Sequence, residues 1–181
     1  LPERVDQMFQ GRPMPKRDAN GDRVFQILKT NRRDSTYMLR YKAHLDPSST
    51  TAGFGFALGH IEILTVEDVQ QKHVVFDVIQ RWNPKDFDDN TIEWEPILDE
   101  IMMFIDIFRP YELTMDQFNS AYPIQWLKRE TRKRNMTETH IFEKTATAQT
   151  NWNRAEIFRT ALYHGLIHAP NDTADTAYCM D

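Results

Sequence analysis

The order of patterns along the chain predicts an α/β protein built on a mixed sheet, an antiparallel three-stranded meander extended by parallel strands, with helices on both faces. Three strand-type runs follow one another between residues 37 and 82 with short connections, which suits a meander. Beyond residue 82, helical and strand periodicities alternate, and strands joined through helices add to a sheet in parallel. The chain has 181 residues, 40% of them apolar, enough for one core that needs no staples.

Residues 1–36 are broken by Pro2, Gly11, Pro13, Pro15 and Gly21. They read as a linker or arm from an upstream domain, holding at most a short strand around 24–28. Periodicity begins with residues 37–46, YMLRYKAHLD, whose alternation of apolar positions predicts a strand that ends in Asp46 before the breaker PSST. Residues 54–64 form the second strand, in which Gly53, Gly55 and Gly59 suit bulges or a close backbone approach. Residues 73–82, rich in β-branched and aromatic side chains, form the third.

The period then lengthens. Ile97, Ile101, Phe104, Ile105 and Phe108 share one helical face, with Pro96 suited to the first turn and Pro110 ending the run. A short strand, 111–116, follows and again ends in an aspartate, Asp116. A second helix is expected from Ser120 through residue 134, a fifth strand over 139–144, and a third helix from Asn151 to Gly165, with Ser120 and Asn151 as candidate N-caps.

The net charge is -5 from 22 basic and 27 acidic residues, but the signs are segregated. Lys128–Arg134 holds five bases around Glu130, whereas residues 86–106 hold eight carboxylates and no Lys or Arg. A basic run on a helix suits a phosphate backbone, or is a solvated helix face. The lone Cys179 has no partner for an intrachain disulfide and fits a reducing compartment. No apolar run is long enough to span a membrane, and no secretory signal opens the chain. The start at Leu1 is read as that of a fragment from a longer protein.

Asp46 and Asp116 each stand where a strand passes into a loop. If the first strand is central and the strand ending in Asp116 lies beside it, the two carboxylates meet at the carboxyl rim, where α/β sheets place ligands. Converging carboxylates repel unless a cation holds them, and all-oxygen ligation suits Mg²⁺ or Mn²⁺. Such a pair is the core of two-metal phosphodiester hydrolysis. Aspartate also favours turns on its own account. Asp77 and Glu62 lie mid-strand, within reach of such a site or on a solvated face. Lys144 and Arg154 are candidate contacts to a scissile phosphate. His164 and His168 have helical i, i+4 spacing, but Gly165 falls between them and no third ligand is near, so zinc is not expected.

HLDPSSTTAGFGFALGHIEI as an aspartate-bearing strand and hairpin, HVVFDVIQRW as the third strand, and FRPYELTMDQFNSAYPIQWL as helix end, strand, aspartate and helix together resemble a ribonuclease H-like nuclease. More narrowly, the chain resembles the nuclease domain of the large terminase subunit that packages DNA in tailed bacteriophages and herpes-type viruses. NWNRAEIFRTALYHGLIHAP is similar to the family's helix that ends in a G-L-I turn. The likeness covers about residues 37–170.

The resemblance implies a nuclease domain over 37–181, truncated at its C-terminus, that cuts double-stranded viral DNA with two Mg²⁺ or Mn²⁺ ions during packaging in the host cytoplasm. It is consistent with Asp46 and Asp116 as metal ligands, and the basic residues that the charge pattern itself offers as DNA contacts are Lys128, Arg129, Arg132, Lys133, Arg134, Lys144 and Arg154. It also implies a third acid near the C-terminus: either Asp175 after a shortened connection, or a residue beyond 181, which the short connection favours. An upstream ATPase motor in the same polypeptide, a portal and a small terminase subunit are the implied partners. The motor's G-x-x-x-x-G-K-S/T phosphate loop does not occur in these residues. A resolvase or transposase-like nuclease, and a non-catalytic DNA- or portal-docking module on the same scaffold, are the alternatives.

Overall fold

The computed structural model describes residues 2–9, 16–17, 19, 23–24, 40–46, 53–116, 121–145 and 147–170. Its elements are α1 (Pro2–Phe9), β1 (Lys16–Arg17), β2 (Arg23–Val24), β3 (Lys42–Asp46), β4 (Phe54–Val66), β5 (Val69–Trp82), α2 (Trp94–Phe108), β6 (Glu112–Asp116), α3 (Ala121–Lys133), β7 (His140–Lys144), α4 (Ala148–Tyr163) and β8 (Ile167–His168). β1 and β2 form a small antiparallel ladder. The other strands form a six-stranded mixed sheet in the order β7-β6-β3-β4-β5-β8. The class is therefore α/β, and β3 is central with β6 beside it.

Two of the links are hairpins. β4 and β5 are joined by Glu67 and Asp68, both at positive φ (50° and 62°), the left-handed conformation that matches a two-residue turn to the twist of its strands. Seven residues separate β3 from β4, too few for a parallel crossover, so this neighbouring pair is antiparallel. By contrast β3–β6, β6–β7 and β5–β8 pair in parallel.

The chain divides into two compact units. The unit of residues 40–58 and 80–146 holds β3, β6, β7, α2 and α3. In β3 burial alternates, and in β6 the three central residues are all buried, Thr114 on the face opposite Leu113 and Met115; Ala43, Leu45, Leu113 and Met115 form the apolar side, with Leu45, Leu113 and Met115 at 0% exposure. α2 lies over this face. Phe104 stacks on Phe56 at 5.4 Å, Phe108 meets Tyr41 edge-on at 5.2 Å, and Trp94 meets Phe54 at 5.4 Å. α3 packs against both α2 and β7, burying Ile124 and Leu127, so the two helices share one side of the strands. Full burial of each such side chain contributes about 1.5–3 kcal/mol. The opposite face of β3 and β6 carries Lys42, His44 and Asp46 beside Glu112, Thr114 and Asp116.

Both helices stop on a left-handed residue. Arg109 (φ 48°) ends α2 just before Pro110. α3 ends with Asn135 at φ 54°, where Asn135 N–H donates to Arg132 O and Met136 N–H to Thr131 O, the paired bonds of a Schellman motif.

The other unit comprises residues 1–39, 59–79 and 147–181. Met8 and Phe9 of α1 are buried with Leu162, Ile167 and Ala169. Residues 2–9, within the segment expected to be an arm, form α1, the strand expected around 24–28 lies outside the described residues beyond Val24, and the two-residue β8 has no counterpart in the sequence periodicity. α4 begins at a Thr147 cap, whose hydroxyl accepts from Thr150 N–H, not at Asn151: the helix starts one turn earlier than expected. Gly165 (φ 67°) closes it, with Gly165 N–H bonded to Leu162 O and Leu166 N–H to Ala161 O. The chain turn at Gly165 separates His164 from His168. Among the described residues no helix is long and apolar enough to cross a membrane.

Candidate functional site

The register of β3 on β6 decides what meets at the carboxyl rim. Lys42 pairs with Glu112, Ala43 with Leu113, His44 with Thr114 and Leu45 with Met115. Asp46 and Asp116 are the next residues and the last of their strands. Register partners on parallel strands about 4.8 Å apart point to the same side, so the two aspartates stand side by side at one level. Both are on the face opposite Leu45 and Met115. β4 adds no bulk there: a Cβ built on Gly55 would lie 3.8 Å from Asp46 Cβ, so hydrogen takes the place of a side chain beside that carboxylate.

One step below the acids, His44 Nδ1 lies 2.8 Å from Thr114 Oγ1. Thr114 Oγ1 in turn reaches Ala43 O at 3.4 Å. With the hydroxyl donating to the carbonyl, the imidazole Nδ1–H donates to the hydroxyl. The bridge ties β3 to β6 and aims Nε2 at Asp116, 3.9 Å from Oδ1. That Oδ1 is buried and has no hydrogen-bond partner among the described residues. A buried carboxylate oxygen without a donor is costly, and a cation that accepts its lone pair removes the cost. Asp46 and Asp116 thus fit a hard divalent ion. Among the described residues, however, no group of three or more His, Cys, Asp or Glu side chains is placed to hold a metal.

β7 extends the same row. Met115 pairs with Glu143 and Asp116 with Lys144, so the rim reads Asp46, Asp116, Lys144 across three adjacent parallel strands.

The remaining sequence candidates fall elsewhere. Lys128, Arg129, Arg132, Lys133 and Arg134 belong to the last turns of α3 and its cap. At 1.5 Å per residue, Lys128 lies about 10 Å and Lys133 about 18 Å along the axis from Ala121. β6 runs into the start of α3, so the basic cluster lies toward the end of the helix that points away from the rim. Glu130 accepts from Lys133 Nζ at 2.7 Å and from Arg129 Nε at 3.3 Å, and these contacts, Lys133 foremost, hold its carboxyl below the usual range. Arg134 pairs with Asp106. Lys128 and Arg132 have no ion pair among the described residues and line a shallow depression with Gln125, Arg129 and Lys133.

Arg154 is exposed on α4 in the other unit, and Asp175 lies outside the described residues. Asp77 and Glu62 are engaged with a buried histidine: His60 Nδ1 is 2.6 Å from Asp77 Oδ2, and Nε2 is 3.1 Å from Glu62 Oε1. His168 stacks on His73, Nε2 to Nδ1 at 2.9 Å.

His44 and Thr114 went unread in the sequence, although each precedes its aspartate by two residues and so shares its face. Comparison of the chain with protein-family models and with curated proteins finds no match.

Proposed function

We propose that this chain is a metal-dependent DNA endonuclease domain of the ribonuclease H-like type, with helices on both faces of its sheet, from a terminase large subunit. The observation that carries the proposal is the β3–β6 register, which sets Asp46 and Asp116 at one level on one face of the rim. Asp116 Oδ1, buried without a donor among the described residues, is the oxygen a cation would take.

Asp46 and Asp116 would hold one or two Mg²⁺ or Mn²⁺ ions. Bound there, such ions lower the pKa of water and neutralise charge on a phosphodiester. The chain's own residues do the rest. The two carboxylates fix the position of the cations. The His44–Thr114 bridge holds their strands together, and the glycine at 55 puts no side chain beside Asp46. Recognition by phosphate contacts rather than base edges predicts low sequence preference. In this reading the substrate is double-stranded DNA in the cytoplasm of an infected host, and the partners are an upstream ATPase motor, a portal and a small terminase subunit. This reading calls for a third acid, and its sequence candidate, Asp175, lies outside the described residues.

One rival is a non-catalytic DNA- or portal-docking module on the same scaffold. Supercoiled plasmid incubated with Mn²⁺ separates the two. The nuclease nicks and linearises it, and Asp46→Asn and Asp116→Asn each lower the rate at least 100-fold, about 2.7 kcal/mol of barrier. Cutting that survives both substitutions refutes the site. DNA binding without cutting by the unaltered chain supports the docking module.

A further inference from the structure

We infer that Lys144 holds the substrate phosphate, as the cationic member of the rim row that begins with Asp46 and Asp116. The inference rests on the nuclease proposal and deepens it. Lys144 is the register partner of Asp116 on the next parallel strand, so its side chain leaves the same face about 4.8 Å farther along the rim. It is exposed, and among the described residues it has no ion pair, whereas Arg129 and Lys133 on α3 and Arg134 just after it are engaged by carboxylates. Of the basic residues singled out in this unit, Lys144 alone is in register with an acid of the pair.

The ammonium has three donors and no lone pair, so it repels a divalent ion at the acids and attracts an anion. These two tendencies separate a phosphate contact from a structural role. A lysine that binds phosphate opposes metal loading and favours DNA. A lysine that only neutralises Asp116 opposes metal loading and leaves DNA affinity unchanged. A solvated lysine does neither.

The test uses the full chain and Lys144→Ala, with Lys144→Arg as the charge-keeping control. Mn²⁺ affinity is read by calorimetry without DNA. Affinity for a fluorescein-labelled DNA duplex is read by anisotropy in Ca²⁺ over a series of salt concentrations, with no cleavage step involved. Lys144→Ala should bind Mn²⁺ about seven-fold more tightly, the factor expected when one unit charge about 7 Å from a divalent ion in a water-like medium is removed. It should bind DNA several-fold more weakly, and its salt dependence should lose about 0.9 from the logarithmic slope, one phosphate's worth. Lys144→Arg should restore the slope. An unchanged DNA affinity and slope in Lys144→Ala, with wild-type binding intact, overturns the inference and leaves the nuclease proposal standing. Failure of the wild-type chain to bind either Mn²⁺ or DNA overturns both.

Discussion

Replacing Asp116 with Asn should stabilise the metal-free protein and remove its response to Mn²⁺. On parallel strands about 4.8 Å apart, two carboxylates that leave the same face lie about 5–6 Å from one another. Two unit charges at that distance repel by about 0.7 kcal/mol in water and about 3 kcal/mol at an effective dielectric constant of 20. The Asp116 side chain is 33% exposed and Asp46 is exposed, so solvent screens the pair and about 1 kcal/mol is the reasonable figure. For a chain of this length that corresponds to a rise of about 2–4 °C in melting temperature. An amide also relieves the cost of a charged oxygen that is buried without a donor among the described residues. Wild type in Mn²⁺ at about 100 times its Kd gains about 2.7 kcal/mol, and the variant gains little. Calorimetric melts at pH 8, where an ordinary histidine is neutral, in EDTA and then in Mn²⁺, measure both effects. A metal-free Asp116→Asn protein that melts below wild type, or one stabilised by Mn²⁺ as strongly as wild type, would refute the paired-carboxylate reasoning.

Two further outcomes follow from the hairpin. Burial of the His60 ring disfavours its charged form, but hydrogen bonds and charge from Asp77, then Glu62, outweigh burial and hold its pKa above the usual 6.5. The folded state therefore binds a proton the unfolded chain gives up. The resulting stability is complete below about pH 6.5 and is lost as pH rises through the raised value. Melting temperature should fall from pH 6 to pH 9 in wild type, and His60→Gln should lack most of that slope; parallel slopes would count against a charged His60. At Gly59 an added Cβ would meet the Val75 carbonyl oxygen and lie 3.2 Å from Phe76 Cα. Backbone cannot give way as a flexible side chain does, so Gly59→Ala should cost about 2 kcal/mol in a denaturant titration, and a loss under 0.5 kcal/mol would show the strand pair to be looser there.

The alternation of strand and helix was legible because each element is long enough to show its period, as with the five apolar positions of α2 from Ile97 to Phe108. What escaped was short or set by partners. β8 has two residues, too few for any period, and is a strand only because Val74 and Val75 pair with it. α4 buries only Leu162, so its apolar positions mark no single stripe, and Asn151 looked like a cap while the reciprocal Thr147–Thr150 bonds sit one turn earlier. Asp46 and Asp116 were visible as strand ends, yet their approach depended on which strands are neighbours, a non-local fact. The basic run on α3 was visible as charge, but its distance from the rim depends on which way the helix runs after β6.

The level at which the two acids stand is fixed below them. Leu45 and Met115 are paired and fully buried, and Ala43 and Leu113, two residues earlier, are paired and buried as well. A slip of β6 by one residue would turn Asp116 to the other side and expose Met115 in its place. In the proposed site the spacing of the two carboxylates would therefore be set by apolar side chains that touch no ion, and reshaping Leu113 or Met115 would alter it while leaving both aspartates unchanged.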